Sequence, residues 1–227
     1  VIKHSRDFNL ARESVLGSAL APTTPAYDVQ QACGTGLQAA ILLANKIALG
    51  QVDSGLAGGV DTSSDAPITV SEKLRIKLLK VNRAKGAKNQ LLALTGIRPT
   101  DFGIETPSNG EPRTGLSMGE HMAQTAKRWG ITREAQDELA MTSHHNLAAA
   151  YDRGFQDDLV TSFRGLSRDQ NLRPDSSMEK LATLKPAFGK GENATMTAGN
   201  STPLTDGASV VLMGSGEWAA EHGLTVQ

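Results

Sequence analysis

PAYDVQQACGTGLQAAILLANKIALGQVDSGLAGGVD, residues 25–61, is the stretch from which the fold can be read. PAYDVQ (25–30) has the length and composition of a short strand. GLQAAILLANKIALG (36–50) repeats apolar residues at three- and four-residue intervals, Leu37, Ile41, Ala44 and Ala48 beside Ala40 and Ile47, which predicts a helix that Gly50 stops. SGLAGGVD (54–61) predicts a buried, glycine-rich strand. Strand, helix and strand within about 35 residues define a βαβ unit, and a βαβ unit implies a parallel sheet.

Cys33, the only cysteine in the chain, falls on the predicted strand-to-helix turn. A lone cysteine is often inert core filler. This one precedes a helix N-terminus, which carries about half a positive charge and several unpaired amides. Both favour a thiolate over a thiol. Gly34 and Gly36 leave room around the sulfur, an arrangement similar to the nucleophile elbow of serine hydrolases. A cysteine nucleophile usually has a histidine base. His4, His121, His144, His145 and His222 all read as surface or packing residues. His121 is the least ordinary of them, but it has no recognisable partner in the sequence.

Outward from this stretch, composition narrows the class. The 227 residues suit one large or two small domains. Aromatics are 4% and glycines number 23, so the core must rest on small and aliphatic side chains. The net charge of −1 gives no support to nucleic-acid binding. One cysteine cannot form an internal disulfide or a Cys-x-x-Cys metal site, which favours a reducing compartment. No 18-residue apolar run and no signal-like h-region stand out. The chain begins at Val1 rather than Met, so processing or a longer parent is expected.

Three textures follow one another. Residues 1–68 are rich in small residues, residues 69–194 are more polar, and residues 195–227 return to the first texture. The middle therefore reads as an insertion into an α/β domain. SEKLRIKLLKVNRAKGAKNQLLAL (71–94) interleaves Lys and Arg with apolar residues, as a helix on anionic lipid, on a partner or simply in solvent would. TGIRPTDFGIETPSNGEPRTG (95–115) predicts a long loop. Helices are predicted over 117–130, with a stripe of Met118, Met122, Ala126 and Trp129, and over 132–154, capped by Thr132 and ended by Gly154. Ser176 and Glu179 read as the capping box of a short helix ending before Pro186. Residues 194–214 predict a strand, a glycine loop and an apolar run, and 215–223 a short helix.

DVQQACGTGLQAA, GLAGGVDTSSDAP, TGLSMGEHMAQTAKRWGITREAQDELAMTSHHNLAAA, MEKLATLKPAFG and TMTAGNSTPLTDGAS occur in one order across nearly the whole chain. Together they resemble the thiolase family, the acetyl-CoA acyltransferases, and most of all the beta subunit of the fatty-acid β-oxidation trifunctional complex. The resemblance implies an α/β, thiolase-like fold: an N-terminal βαβ-type half with an inserted, mainly helical loop domain. Residues 1–68 would be the first part of the N-terminal domain, 69–194 the inserted loop domain and 195–227 the return, with the C-terminal thiolase domain absent. In that family the cysteine matched by Cys33 is acylated by the substrate thioester, and its amide supplies an oxyanion donor. Met118 and Gly119 match a pair beside the reacting sulfur. Ala198, Gly199 and Thr202 match the loop that receives the pantetheine arm, Thr202 standing where serine is common. Arg173 matches a residue over the CoA nucleotide end. The family's N-E-A-F asparagine, G-H-P histidine and C-x-G second cysteine have no match here, so this stretch alone is expected to be inactive.

The resemblance further implies no permanently bound cofactor, no metal, and coenzyme A as substrate. Its implied partners are acyl-CoA, a second or further copies in a homodimer or homotetramer, an alpha subunit of a β-oxidation complex, and a membrane surface touching 71–94. The implied location is the cytoplasm in a bacterium or the mitochondrial matrix in a eukaryote. The competing readings are a non-catalytic thiolase-like CoA- or lipid-binding scaffold, motivated by the missing base, and a decarboxylating ketoacyl synthase of the same superfamily.

Overall fold

The computed structural model describes residues 8–191 and 194–225; His4 lies outside them. In chain order the elements are α1 (Leu10–Leu16), α2 (Thr35–Ala48), β1 (Ser54–Asp61), β2 (Thr69–Val70), α3 (Glu72–Arg83), α4 (Ala87–Leu94), β3 (Ile104–Glu105), α5 (Met118–Trp129), α6 (Arg133–Asp152), α7 (Met178–Ala182), β4 (Pro186–Phe188), β5 (Met196–Thr197), β6 (Gly207–Gly214) and α8 (Gly216–Glu221). They fall into two compact units, one made of residues 1–107 and 204–227, the other of residues 108–203.

The first unit is organised by α2 lying on β1. Gly36 and Leu43, two turns apart on the helix, meet the strand. A Cβ built on Gly55 would strike the Leu43 side chain at 2.8 Å, and one on Gly59 would lie 3.8 Å from the Gly36 Cα. The start of the helix therefore sits over the C-terminal end of the strand, where two glycines let the backbones approach. Leu37 and Ile41, which the periodicity turned inward, are 70% and 43% exposed. The apolar repeat identified the helix but not its inner face, because glycine carries part of the contact.

Two sequence expectations fail here. Residues 25–30 form no strand; the segment is tied to α1 instead. The Asp28 carboxylate accepts from the amides of Leu10 and Ala11 at 3.1 and 2.8 Å, and the Arg12 guanidinium donates to the Pro22 and Thr24 carbonyls at 2.7 and 3.0 Å. A carboxylate facing a helix N-terminus is favourable, and it keeps this backbone out of a ladder. The parallel pairing is also replaced. β1 runs antiparallel to β6, with Ser54 opposite Gly214 and Asp61 opposite Gly207. Only part of the predicted buried strand is buried, since Ala57 is sealed while Leu56 and Val60 are open.

The basic stretch 71–94 is two helices, not one. Ser71 caps α3 by accepting from the Leu74 amide at 3.2 Å. The chain then extends at Ala84 and turns through Gly86, at φ +81°, before α4. Part of the basic charge is already paired: Arg75 bridges Glu72 at 2.6 Å, and Lys77 meets the buried Asp101 at 2.5 Å. Within the predicted loop that follows, Pro99–Asp101 forms a 3-10 turn and β3 pairs with β2. Among the described residues no helix is long and apolar enough to cross a membrane.

In the second unit α5 and α6 occur as predicted. Ser117 and Glu120 form a reciprocal capping box on α5, and Thr132 caps α6 by accepting from Ala135. The cap of α7 is Ser177 rather than Ser176, accepting from the Lys180 amide at 3.3 Å. Ser176 Oγ is used otherwise, donating to the Arg173 carbonyl at 2.8 Å. β4 pairs antiparallel with β5, and Phe188 lies against Gly119, where a Cβ would fall 2.4 Å from its ring. Ala126, Asp137, Ala150, Leu181, Met196 and Thr197 are buried.

Candidate functional site

Cys33 lies two residues before the first residue of α2 and is exposed. The turn that presents it is knotted by Thr35. The Thr35 hydroxyl accepts from the Gln31 amide at 2.9 Å and donates to the Ala32 carbonyl at 2.7 Å. The Gly34 amide closes the turn onto the Gln31 carbonyl at 2.9 Å. Ala32 is held at φ +45°, in the left-handed region that residues other than glycine seldom occupy. Strain of this kind persists where the surroundings enforce it, and it collects at functional sites. Here it sits on the residue before the sulfur.

The cysteine opens on a cleft of about 420 Å³. Its floor is the turn and first residues of α2, and its walls are Gly59–Asp61 at the end of β1 and Thr205 and Gly207–Ser209 at the start of β6. The small side chains on all sides leave that space open. The 205–207 wall is fastened by Asp206, whose carboxylate accepts from the Ser64 amide at 2.8 Å and from the Ser64 hydroxyl. Ser63 Oγ donates to the Thr205 carbonyl at 3.1 Å beside it. The Ser64 hydroxyl, then its amide, hold the Asp206 carboxyl below the usual carboxylate range.

The other residues singled out from the sequence belong to the second unit. Met118 opens α5 and is 74% exposed, with Gly119 against Phe188. Phe188 pairs with Met196, two residues before Ala198, so β4 and β5 link the start of α5 to the 198–202 loop. Ala198 and Thr202 are exposed, and Gly199 fits against Leu181 and Leu184. Arg173 is exposed, its amide donating to His144 Nδ1 at 3.3 Å and its guanidinium to the Gln170 and Leu172 carbonyls.

The described histidines have local partners. His121 shares a hydrogen bond with Thr114 at 3.1 Å, the partner that sequence alone did not reveal. His145 donates to the Ser176 carbonyl at 2.9 Å, and His222 stacks on Trp218. Among the described residues no three His, Cys, Asp or Glu side chains gather as metal ligands would.

Sequence reading missed Thr35, the Ser64–Asp206 clasp and the Asp137–Asn200 pair. The available signals were a threonine two residues after the cysteine and an asparagine set in a glycine loop. Asp137 and Asn200 are 63 residues apart in the chain and Ser64 and Asp206 are 142 apart, so no local pattern couples either pair.

The site is thus an exposed cysteine at the head of a helix, on an open cleft between that helix and a strand pair, in an α/β protein. Residues 1–217 match the family model described as "Thiolase, N-terminal domain", and the chain belongs to the thiolase family. It is 45% identical over 223 residues to the 3-ketoacyl-CoA thiolase of Pectobacterium carotovorum, a match covering 96% of this chain and 51% of that protein. It is 41% identical to the Vibrio cholerae O395 protein of the same name, covering 96% and 51%. Human mitochondrial 3-ketoacyl-CoA thiolase, solved in complex with CoA, superposes with a TM-score of 0.78 at 26% identity, covering 99% of this chain and 54% of that one. The Bacillus anthracis acetyl-CoA acetyltransferase superposes at 0.75 and 31% identity, covering 99% and 54%. The fold is thus thiolase-like, and the chain spans about half the length of the curated relatives it matches.

Proposed function

We propose that the chain carries the nucleophile of a 3-ketoacyl-CoA thiolase, an acyl-CoA C-acyltransferase, with Cys33 as the residue that becomes acylated. The observation behind this reading is the exposed sulfur of Cys33 on its open cleft at the start of α2. In the degradative direction the Cys33 thiolate attacks the keto carbon of a 3-ketoacyl-CoA. The bond between that carbon and the α-carbon breaks, and its electron pair leaves with acetyl-CoA as an enolate that takes up a proton. The thiol of free CoA then attacks the acyl-cysteine, forming the shortened acyl-CoA and releasing the Cys33 thiolate. Two steps through a thioester replace one harder step.

This chain supplies the sulfur, the turn that holds it and the cleft. The histidine that deprotonates Cys33 and the cysteine that protonates the enolate are expected outside these 227 residues. Met118, Gly119, Arg173, Ala198, Gly199 and Thr202 are the proposed contacts of the CoA thioester. Fatty-acid β-oxidation is the proposed setting, because the bacterial relatives are 3-ketoacyl-CoA thiolases.

Labelling at the protein's natural length tests this. Iodoacetamide should alkylate Cys33 rapidly near neutral pH, acetyl-CoA should protect it, and acetyl-CoA alone should leave an acetyl group on that residue by peptide mass. Slow alkylation that acetyl-CoA does not slow, with no acyl adduct, would favour the non-catalytic scaffold reading instead.

A further inference from the structure

Asp137 is 2% exposed, and among the described residues Asp101 is the other buried charged side chain. It sits in the first half of α6, far in sequence from every residue assigned to CoA. Both of its oxygens are engaged. Arg133 Nε donates to Oδ2 at 2.6 Å, and Asn200 Nδ2 donates to Oδ1 at 2.8 Å. Asn200 lies inside the 198–202 loop. Its Nδ2 also donates to the Thr195 carbonyl at 3.1 Å, and its Oδ1 accepts from the Thr197 amide at 2.7 Å. Thr197 is fully buried, and its hydroxyl accepts from the Gly199 and Asn200 amides at 3.2 and 3.3 Å. On the other side, Arg133 donates to the Leu181 and Leu184 carbonyls at 2.5 and 3.2 Å. Leu181 and Leu184 are the two side chains that fill the space a Cβ on Gly199 would need.

One carboxylate therefore holds both faces of the loop. Through Asn200 it fixes the loop's backbone, and through Arg133 it fixes the leucines against which Gly199 rests. A buried ion pair contributes little net stability, because desolvation offsets the attraction. What such a pair supplies is a single geometry, since each donor and acceptor has one satisfied arrangement in the dry interior.

We propose that Asp137 is the positioning residue of the 198–202 loop, holding it through Asn200 and Arg133 in the shape that receives a CoA thioester. This deepens, and rests on, the reading of that loop as the receiver of the pantetheine arm. The test uses the protein at its natural length, with Asp137→Asn and, because it removes no buried charge, Asn200→Ala. Both should raise the KM for the CoA thioester by roughly 3- to 10-fold, with kcat changed less than about twofold. In Asn200→Ala the Thr197 amide, which loses its acceptor, should also exchange with deuterium at least about ten times faster, as expected when a protecting bond goes. Unchanged exchange, or faster exchange with an unchanged KM, overturns the proposal. A wild-type protein that binds no CoA thioester, with the Thr197 amide still loosened in Asn200→Ala, keeps the clamp and removes the pantetheine reading instead.

Discussion

Thr35 shows how one side chain can set the geometry of another. Its hydroxyl bridges the Gln31 amide and the Ala32 carbonyl, so it holds the turn on both sides of Ala32. Without that bridge the positive φ of Ala32 rests on the backbone bonds from the Gly34 amide to the Gln31 carbonyl and from the Thr35 amide to the Ala32 carbonyl, and the direction of Cys33 is held less firmly. Thr35→Val keeps the shape and removes both bonds. In an exposed turn the loss should be about 1 kcal/mol in urea denaturation, the lower end for two bonds. Acylation of Cys33 by acetyl-CoA should slow several-fold, and Thr35→Ser should restore both values. Equal acylation rates in Thr35→Val and wild type would mean that the turn does not aim the sulfur. Much about Cys33 is legible in sequence, because a turn and a helix start are local features. Thr35 was not, because its role depends on an unusual φ that composition does not announce.

At the scale of elements, caps read well when they were local and failed by one residue when two serines were adjacent. Thr132 stands alone before its helix, whereas Ser176 and Ser177 compete and the preceding turn takes the first. The βαβ reading failed for a different reason. Periodicity located α2 and β1, but pairing partners are set by contacts distant in sequence, and β6 rather than residues 25–30 pairs with β1. The break in the basic stretch was visible as Gly86, yet a single glycine also occurs inside helices. The box on α5 carries a prediction. Glu120 accepts from the Ser117 amide and hydroxyl at 2.7 and 2.9 Å, and these bonds hold its carboxyl below the usual range. Ser117→Ala should cost about 1 kcal/mol of stability by thermal unfolding. It should also lower the helical circular dichroism slightly. Because this helix presents the proposed CoA contacts Met118 and Gly119 in its first turn, CoA-thioester KM should rise while Cys33 alkylation without ligand stays unchanged.

Across the molecule, the described carboxylates with displaced titration move in one direction. Asp206 is held low by Ser64, Asp101 by Lys77 and then the Arg98 amide, Glu120 by Ser117 and Asp175 by Lys180. Each fastens an element end or a loop, and both units contain examples. A carboxyl whose folded-state pKa lies below its unfolded value binds its proton more tightly in the unfolded chain. The stability it lends is complete above the unfolded carboxylate range, about 3.9–4.3. It is lost as pH falls through the lower folded-state values. Thermal melts should therefore show no acid-side loss from these groups down to about pH 5 and a steep fall below about pH 4. Asp101 is the buried member of the set, and its side chain joins α3 to the 3-10 turn through Lys77 at 2.5 Å. Asp101→Asn removes one ion from that pair and one titrating group from the acid limb. The variant should melt lower than wild type at pH 7 and lose less of its stability between pH 5 and 3, so the two curves converge. Parallel curves, separated by the same interval throughout, would show that Asp101 titrates alike in the folded and unfolded chain and that its bond to Lys77 carries no charge-dependent stability.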